Sequence, residues 1–182
     1  ATNQNDILHR AISNGSYEAE KVFETISPSM DIQIASNFER LLFDLNKGDD
    51  FQTSQDMRNI KKSGKYVLDK EKLLKISENF LSARMSEKET LEIISSVYEK
   101  FNVVLDPHTA IGFGAFDKHN LKGNNVVLGT AHPCKFPDAI HRAIKTKSDL
   151  PSELMFILDE KENFDIIEND VEKVKQHIRD KI

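Results

Sequence analysis

The sequence has no tryptophan, only one cysteine and no long apolar run. A single cysteine, Cys134, forms neither an internal disulfide nor a cysteine-based metal site, so cytoplasmic residence is expected. No stretch approaches the roughly 20 apolar residues of a membrane span, and none has the pattern of a signal peptide, so no membrane partner is expected. Basic residues are outnumbered, 25 against 30 acidic, which gives a net charge of −5. This balance argues against nucleic acid as a partner.

The short motifs of common nucleotide, metal and hydrolase sites are also missing. The sequence contains no Walker loop and no GxGxxG, HExxH, EF-hand or GxSxG pattern. None of the six histidines lies in metal-ligand register with a carboxylate, so no metal is expected. Gly112 and Gly114 fall inside a predicted helix, where close packing against a sheet explains them better than phosphate binding. Functional residues are therefore expected where polar side chains lie next to the ends of predicted strands and helices.

The composition is otherwise that of a globular protein, since 182 residues with 38% hydrophobic side chains suffice to bury a core. Apolar residues at helical spacing predict helices near residues 7–14, 38–45, 54–62, 69–80, 86–100, 136–144 and 170–182. Ser86 and Glu89 have the spacing of a capping box, and residues 16–25 are expected to be weakly helical. Residues 46–100 are interpreted as a mostly helical insertion in an α/β core that comprises residues 1–45 and 101–182.

Two short apolar runs, residues 103–105 and 126–128, predict buried strands on either side of a helix. The first ends at Asp106 and Pro107, and proline suits the first turn of the helix that follows. Strand, helix and strand in close succession predict a βαβ unit with parallel pairing. The polar loops after both strands would then open at one edge of the sheet, where ligands bind in α/β folds.

These two loops carry candidate functional side chains. His108 and His132 have side chains suited to acid–base chemistry, or they serve the loop structure. Thr130 is either a turn residue or a hydroxyl that forms one neutral hydrogen bond to a ring nitrogen. Cys134 is a weak candidate nucleophile because no histidine and carboxylate partners are evident.

A further candidate site lies at the start of the helix near residues 38–45. Asn37 and Arg40 place an amide and a guanidinium at a helix N-terminus, which favours anion binding. The alternative is a helix-capping asparagine beside a solvated arginine.

Five ordered blocks of the sequence resemble consecutive blocks of threonine synthase, of the long-chain type found in fungi and many bacteria. They are Thr2-Asn3-Gln4-Asn5-Asp6, Ser27-Pro28-Ser29-Met30-Asp31, Ser36-Asn37-Phe38-Glu39-Arg40, Asp106-Pro107-His108-Thr109-Ala110-Ile111-Gly112 and Thr130-Ala131-His132-Pro133-Cys134-Lys135-Phe136-Pro137. The resemblance implies the C-terminal portion of a fold type II enzyme that depends on pyridoxal 5'-phosphate (PLP). It also implies the conversion of O-phospho-L-homoserine and water into L-threonine and phosphate.

The resemblance implies roles for individual residues. Thr130 is similar to the hydroxyl residue that contacts the pyridine nitrogen of PLP, and a neutral hydroxyl tempers electron withdrawal because it does not hold that nitrogen protonated. Asn37 and Arg40 match an Asn-aromatic-x-Arg pattern and are expected to bind the substrate phosphate or carboxylate, where Lys135 would join them.

In the family, the lysine that binds PLP covalently precedes the block that begins at Thr2. No catalytic residue is therefore expected in this chain, which would be inactive without the N-terminal part of the same enzyme. Two alternatives remain open: a related phospho-lyase that releases a keto acid, and a non-catalytic module that binds a small anion or a partner.

Overall fold

Helices dominate the regular structure of the chain, and a computed structural model describes all 182 residues. The α-helices are α1 (Ile7–Asn14), α2 (Phe38–Leu45), α3 (Asp50–Ser63), α4 (Lys70–Asn79), α5 (Glu87–Phe101), α6 (Pro107–His119), α7 (Pro137–Ile144) and α8 (Val171–Lys181). The strands are β1 (Ser16–Glu18) and β2 (Lys65–Val67), and 3-10 helices occupy Pro28–Met30, Pro133–Lys135 and Ser152–Leu158. The predicted α/β class is confirmed as a mostly helical structure with a small sheet, and every predicted helix near the seven ranges above is present.

The weak helix predicted for residues 16–25 is wrong, because β1 forms there instead. β1 pairs antiparallel with β2, with Tyr17 opposite Tyr66. Gly15, at φ +82°, ends α1 and turns the chain into the strand, and its carbonyl accepts a hydrogen bond from the Leu68 N–H. The partner strand lies far along the chain, so tertiary pairing outweighs a weak local preference.

The first core cluster contains buried residues from the helices α1, α2, α3 and α4 and from the strand β1, and Tyr66 of β2 packs against it. Tyr17 is fully buried and stacks on Phe38 with ring centroids 4.2 Å apart. Ile60 and Ile76, from α3 and α4, lie in the same buried cluster as Ile7 of α1. Helices α3 and α4 therefore share a core with the N-terminal segment, and the interpretation of residues 46–100 as an insertion stays a prediction.

The second part of the core lies between α5, α6 and α7, where Ile94, Ala110 and Ile140 are fully buried together. Gly114 lets α6 approach closely: a Cβ there would lie 2.4 Å from Ile93 Cδ1 and 2.8 Å from Met85 Sδ. The small residues of α6 thus pack against α5 and Met85, not against the sheet that was predicted.

The predicted parallel βαβ pairing is not formed. Residues 103–105 and 126–128 are not in strands, and the Val126 and Leu128 side chains are 88% and 76% exposed. A strand exists only where a neighbour accepts and donates its backbone hydrogen bonds, and no strand of this chain pairs with either segment. Parallel pairing is limited to one bridge between Thr2 and Arg84.

Compact packing divides the chain into Ala1–Asp149 and Leu150–Ile182. In the second unit, Asp170 begins α8 by accepting hydrogen bonds from the Glu172 and Lys173 N–H groups. The helix predicted there is confirmed, but Val171 and Ile178, which were expected to face inward, are 68% and 52% exposed. No helix of the structure combines the length and apolar character needed to cross a membrane.

Candidate functional site

A groove of about 530 Å³ runs along α6 from His108 to His119. The helix lines it with His108, Gly112 and Phe116, and residues 125–128 line it together with Thr130. The two loops that were predicted to lie close together therefore do meet, although the strands before them are not paired. Most of the lining residues are apolar; His108 and Thr130 are polar groups near the start of α6, and Asn79, His119 and Asn125 also line the groove.

Asp106 organises the start of α6 from a fully buried position, with 1% of its surface exposed. Its Oδ1 accepts hydrogen bonds from the backbone N–H groups of His108 at 3.0 Å and Thr109 at 3.4 Å. Pro107 occupies the first helical position, where a missing N–H costs nothing. The Asp-Pro sequence thus produces the capped helix start that its residue types predict.

His108 joins this helix start to the loop of residues 27–31. Its Nε2 accepts the Ser29 N–H at 3.3 Å, so the ring proton lies on Nδ1 and is donated to Asp106 Oδ1 at 3.0 Å. The ring also lies against Phe136, with centroids 4.9 Å apart. Because both ring nitrogens are engaged, the structure favours the loop role of His108 over acid–base chemistry.

Thr109 connects Asp106 to Thr130. The Thr109 hydroxyl donates to Asp106 Oδ2 and accepts the Thr130 N–H at 3.0 Å, and its oxygen lies 3.3 Å from Thr130 Oγ1. Thr130 itself is exposed in the groove. Sequence reasoning missed Thr109, and the only signal for it was a hydroxyl in the first turn of a helix that begins at a candidate site.

The three predicted substrate residues lie in different places. Asn37 holds the N-cap position of α2 without capping it, and it lines a cavity of about 190 Å³ beside Ser29. Arg40 is exposed one turn later and lines a separate depression with Asp44. Lys135 is exposed at the end of a 3-10 helix. The described residues do not bring the three side chains into one cavity, and their substrate-binding roles stay predictions.

The first two sequence blocks meet in a buried polar network. Asn3 Nδ2 donates to Asp31 Oδ1 at 2.7 Å and to Ser27 Oγ at 3.0 Å, while Asn5 Nδ2 reaches the same Asp31 oxygen at 3.0 Å. Thr25 contributes its N–H, which lies 2.8 Å from Asp31 Oδ2. Such a network holds the segment before α1 against the loop that supports His108. Sequence analysis assigned these residues no functional role, although Asn3, Asn5 and Asp31 lie in two of the blocks that carry the family resemblance.

The matches to known proteins cover the chain almost from end to end. The family model described as "Threonine synthase, C-terminal" matches residues 109–178. Threonine synthase of Pseudomonas aeruginosa is 38% identical over 181 residues, which is 98% of this chain and 39% of that protein. A crystal structure of PLP-bound threonine synthase from Brucella melitensis is 40% identical, with a TM-score of 0.84 over 99% of this chain and 39% of that one. The yeast threonine synthase structure is 39% identical, with a TM-score of 0.80 over 98% of this chain and 40% of that one.

This chain belongs to the threonine synthase family. It spans about two fifths of the length of the relatives it matches, and the family model assigns the match to their C-terminal part. The matched range begins at Thr109 and contains Thr130 and Lys135, whereas Asn37 and Arg40 lie in the part covered by the whole-chain relatives. The resemblance stated from the sequence blocks is therefore confirmed.

Proposed function

We propose that this chain is the C-terminal part of a cytoplasmic PLP-dependent threonine synthase that converts O-phospho-L-homoserine and water into L-threonine and phosphate. The observation that carries the proposal is the likeness to PLP-bound threonine synthase over 99% of the chain, at 40% identity. Its partners are the small-molecule substrate and the N-terminal part of the same enzyme.

The groove along α6 suits the pyridine side of PLP. Its volume of about 530 Å³ admits an aromatic ring, and Thr130 offers a neutral hydroxyl at one end. No lysine or arginine lines the groove, so the residues present fit the ring and its nitrogen but provide neither a covalent link nor a cation for the phosphate. Those groups belong, in this proposal, to the N-terminal part of the enzyme.

PLP, when bound, supplies an electron sink for bonds broken at the substrate's carbon skeleton. Thr130 contributes a neutral hydrogen bond at the ring nitrogen. Gly112 presents no side chain to the groove, and a Cβ at that position would be in ordinary van der Waals contact with Val127 Cγ1, at 3.4 Å. The chain thereby positions the cofactor and tempers its electron withdrawal, while the covalent chemistry is carried out elsewhere in the enzyme.

Asn37, Arg40 and Lys135 bind the substrate in this proposal. A guanidinium and an ammonium attract a phosphate or carboxylate, and the Asn37 side chain is not used to cap its own helix. We expect Arg40→Ala to raise KM for phosphohomoserine about tenfold or more in the full-length enzyme, a loss of at least about 1.4 kcal/mol of binding. Arg58→Ala, on the exposed surface of α3, is the matched control, and an unchanged KM for Arg40→Ala would remove this residue from the site.

The product made by the full-length enzyme tests the proposed reaction. Purified enzyme incubated with PLP and phosphohomoserine should release threonine and phosphate in equal amounts. A keto acid with phosphate would identify the related phospho-lyase, and binding without turnover would identify the non-catalytic module. The 182-residue chain assayed in parallel should neither bind PLP covalently nor release phosphate, and turnover by it would contradict the assignment of the covalent chemistry to the rest of the enzyme.

A further inference from the structure

The hydrogen bonds around Thr109 have a definite direction. The Thr109 hydroxyl has one proton, which it donates in a hydrogen bond to Oδ2 of the buried Asp106 carboxylate. Asp106 Oδ1 already accepts N–H groups from His108 and Thr109. With every neighbouring group donating to it, Asp106 acts only as an acceptor, as an ionised helix-capping carboxylate does.

Thr109 is consequently an acceptor toward Thr130. Its oxygen receives the Thr130 N–H at 3.0 Å, and its second lone pair faces Thr130 Oγ1 at 3.3 Å. Because the only Thr109 proton is committed to Asp106, the Thr130 hydroxyl must be the donor in any hydrogen bond between the two.

We propose that Thr109 is a positioning residue that holds Thr130 against the pyridine nitrogen by accepting the Thr130 backbone N–H. This inference rests on the proposed role of Thr130 as the residue that faces the ring. The Asp106 carboxylate is separated from Thr130 by the Thr109 hydroxyl, which donates to Asp106 Oδ2. The Thr130 hydroxyl has one proton, so a hydrogen bond donated to the ring nitrogen would replace the one donated to Thr109, whereas the bond from the Thr130 N–H to Thr109 would remain.

The surrounding contacts make this arrangement rigid. His108 donates its Nδ1 proton to Asp106 and is held on its other side by the Ser29 N–H and by the Phe136 ring. Asp106 is therefore fixed from two directions, and the position of the Thr109 hydroxyl follows from it. Removing that hydroxyl would leave the Thr130 N–H without its acceptor.

The test uses the full-length enzyme loaded with PLP labelled with ¹⁵N at the pyridine nitrogen. We expect the wild-type ¹⁵N signal to be that of an unprotonated nitrogen that accepts a hydrogen bond, with no change across neutral pH. Thr109→Val should shift this signal and lower turnover by about tenfold to a hundredfold, because the Thr130 hydroxyl is displaced. Thr109→Ser should restore both, and Thr146→Val, at an exposed position outside the groove, should change neither.

The outcomes separate this inference from the proposed function. If Thr130→Val shifts the signal and Thr109→Val does not, the role of Thr109 is refuted while Thr130 still faces the ring. If neither substitution shifts it, the assignment of Thr130 itself is wrong. If Thr109→Val fails to fold, Thr109→Ala takes its place, and an unshifted ¹⁵N signal in folded Thr109→Ala enzyme would refute the positioning role.

Discussion

Glu89, in the first turn of α5, shows how neighbouring donors hold a single carboxylate in its charged form. The Lys118 ammonium lies 2.7 Å from Glu89 Oε1, and the Ser86 N–H and hydroxyl both donate to Oε2 at 2.7 Å. These contacts, with Lys118 first, lower the pKa of Glu89 from 4.5 to about 2. The capping box predicted from Ser86 and Glu89 is present in full.

We expect Glu89→Gln to make stability less dependent on pH. A lowered pKa in the folded state contributes stability above pH 4.5, and that contribution is lost as the pH falls from about 4.5 to about 2. Glutamine keeps the cap but removes the charge, so at pH 7 the cost should be about 1 kcal/mol or less, since the side chain is partly exposed. Thermal unfolding at several pH values measures this, with Glu92→Gln as the control on the same helix. A constant difference between wild type and variant down to pH 2 would refute it.

Tyr17 contributes a buried hydroxyl to an otherwise apolar cluster. Its oxygen accepts the Ala35 N–H at 2.8 Å, and both residues are fully buried. Burial raises the pKa of the Tyr17 phenol, so the group stays neutral. The hydroxyl is the acceptor that the Ala35 N–H needs in a place that water does not reach.

We expect Tyr17→Phe to lower the free energy of unfolding by about 1–3 kcal/mol, because it leaves a buried N–H without a partner. The ring stacking on Phe38 is kept, so the loss isolates the hydrogen bond. Chemical denaturation monitored by circular dichroism provides the measurement, and Tyr98→Phe on partly exposed α5 is the control. Equal stability of the two variants would show that the Ala35 N–H finds another acceptor.

At the scale of elements, the close approach of α6 to α5 depends on Gly114. The Ile93 and Met85 side chains fill the space beside Gly114. Met85 is held in place because its backbone N–H donates a hydrogen bond to the Thr2 carbonyl. The helix that begins at the candidate site is therefore positioned from its middle as well as from its cap.

Gly114→Ala should destabilise the protein by about 1–3 kcal/mol, because a methyl group would overlap two packed side chains. Gly129→Ala is the matched control, since nothing lies within 4 Å of its Cβ position. The midpoint of thermal unfolding distinguishes them. If alanine at 114 raises stability through helix propensity, the packing at this position is looser than described.

Local signals account for the elements that sequence analysis predicted correctly. Asp106 and Pro107 begin a helix, and Ser86 and Glu89 cap one, because the hydrogen bonds involved join residues within one turn. Gly15 ends α1 for the same reason. β1 was missed because its partner is β2, almost 50 residues away along the chain, and nothing in its own sequence encodes that pairing.

At the scale of the whole molecule, two apolar segments that were predicted as buried strands contain exposed side chains. Val126 and Leu128 are largely exposed, and Val103 is 48% exposed. Their sequences have the β-preferring residues of buried strands, yet the backbone groups there pair with no neighbouring strand. The β-preference of these residues is therefore not matched by strand pairing in the structure.

Hydrogen exchange of the 182-residue chain should therefore be uneven. We expect the backbone amides of residues 103–105 and 126–128 to exchange nearly as fast as in an unfolded chain, because they donate to no backbone acceptor. The buried amides around Ile94 in α5 should exchange slowest and provide the internal reference. Protection at residues 126–128 equal to that in α5 would mean that these residues form a strand after all.

The sequence by itself determined the family, the helices and the caps, because ordered blocks and short-range hydrogen bonds are properties of neighbouring residues. It also identified Thr130 as a candidate, since a hydroxyl after an apolar run is visible in the chain. Only the tertiary structure decided that Thr109 links Asp106 to Thr130, that both nitrogens of His108 are engaged, and that Asn37 and Arg40 line separate cavities. Those facts depend on contacts between residues distant in sequence, and such contacts are set by packing rather than by local preference.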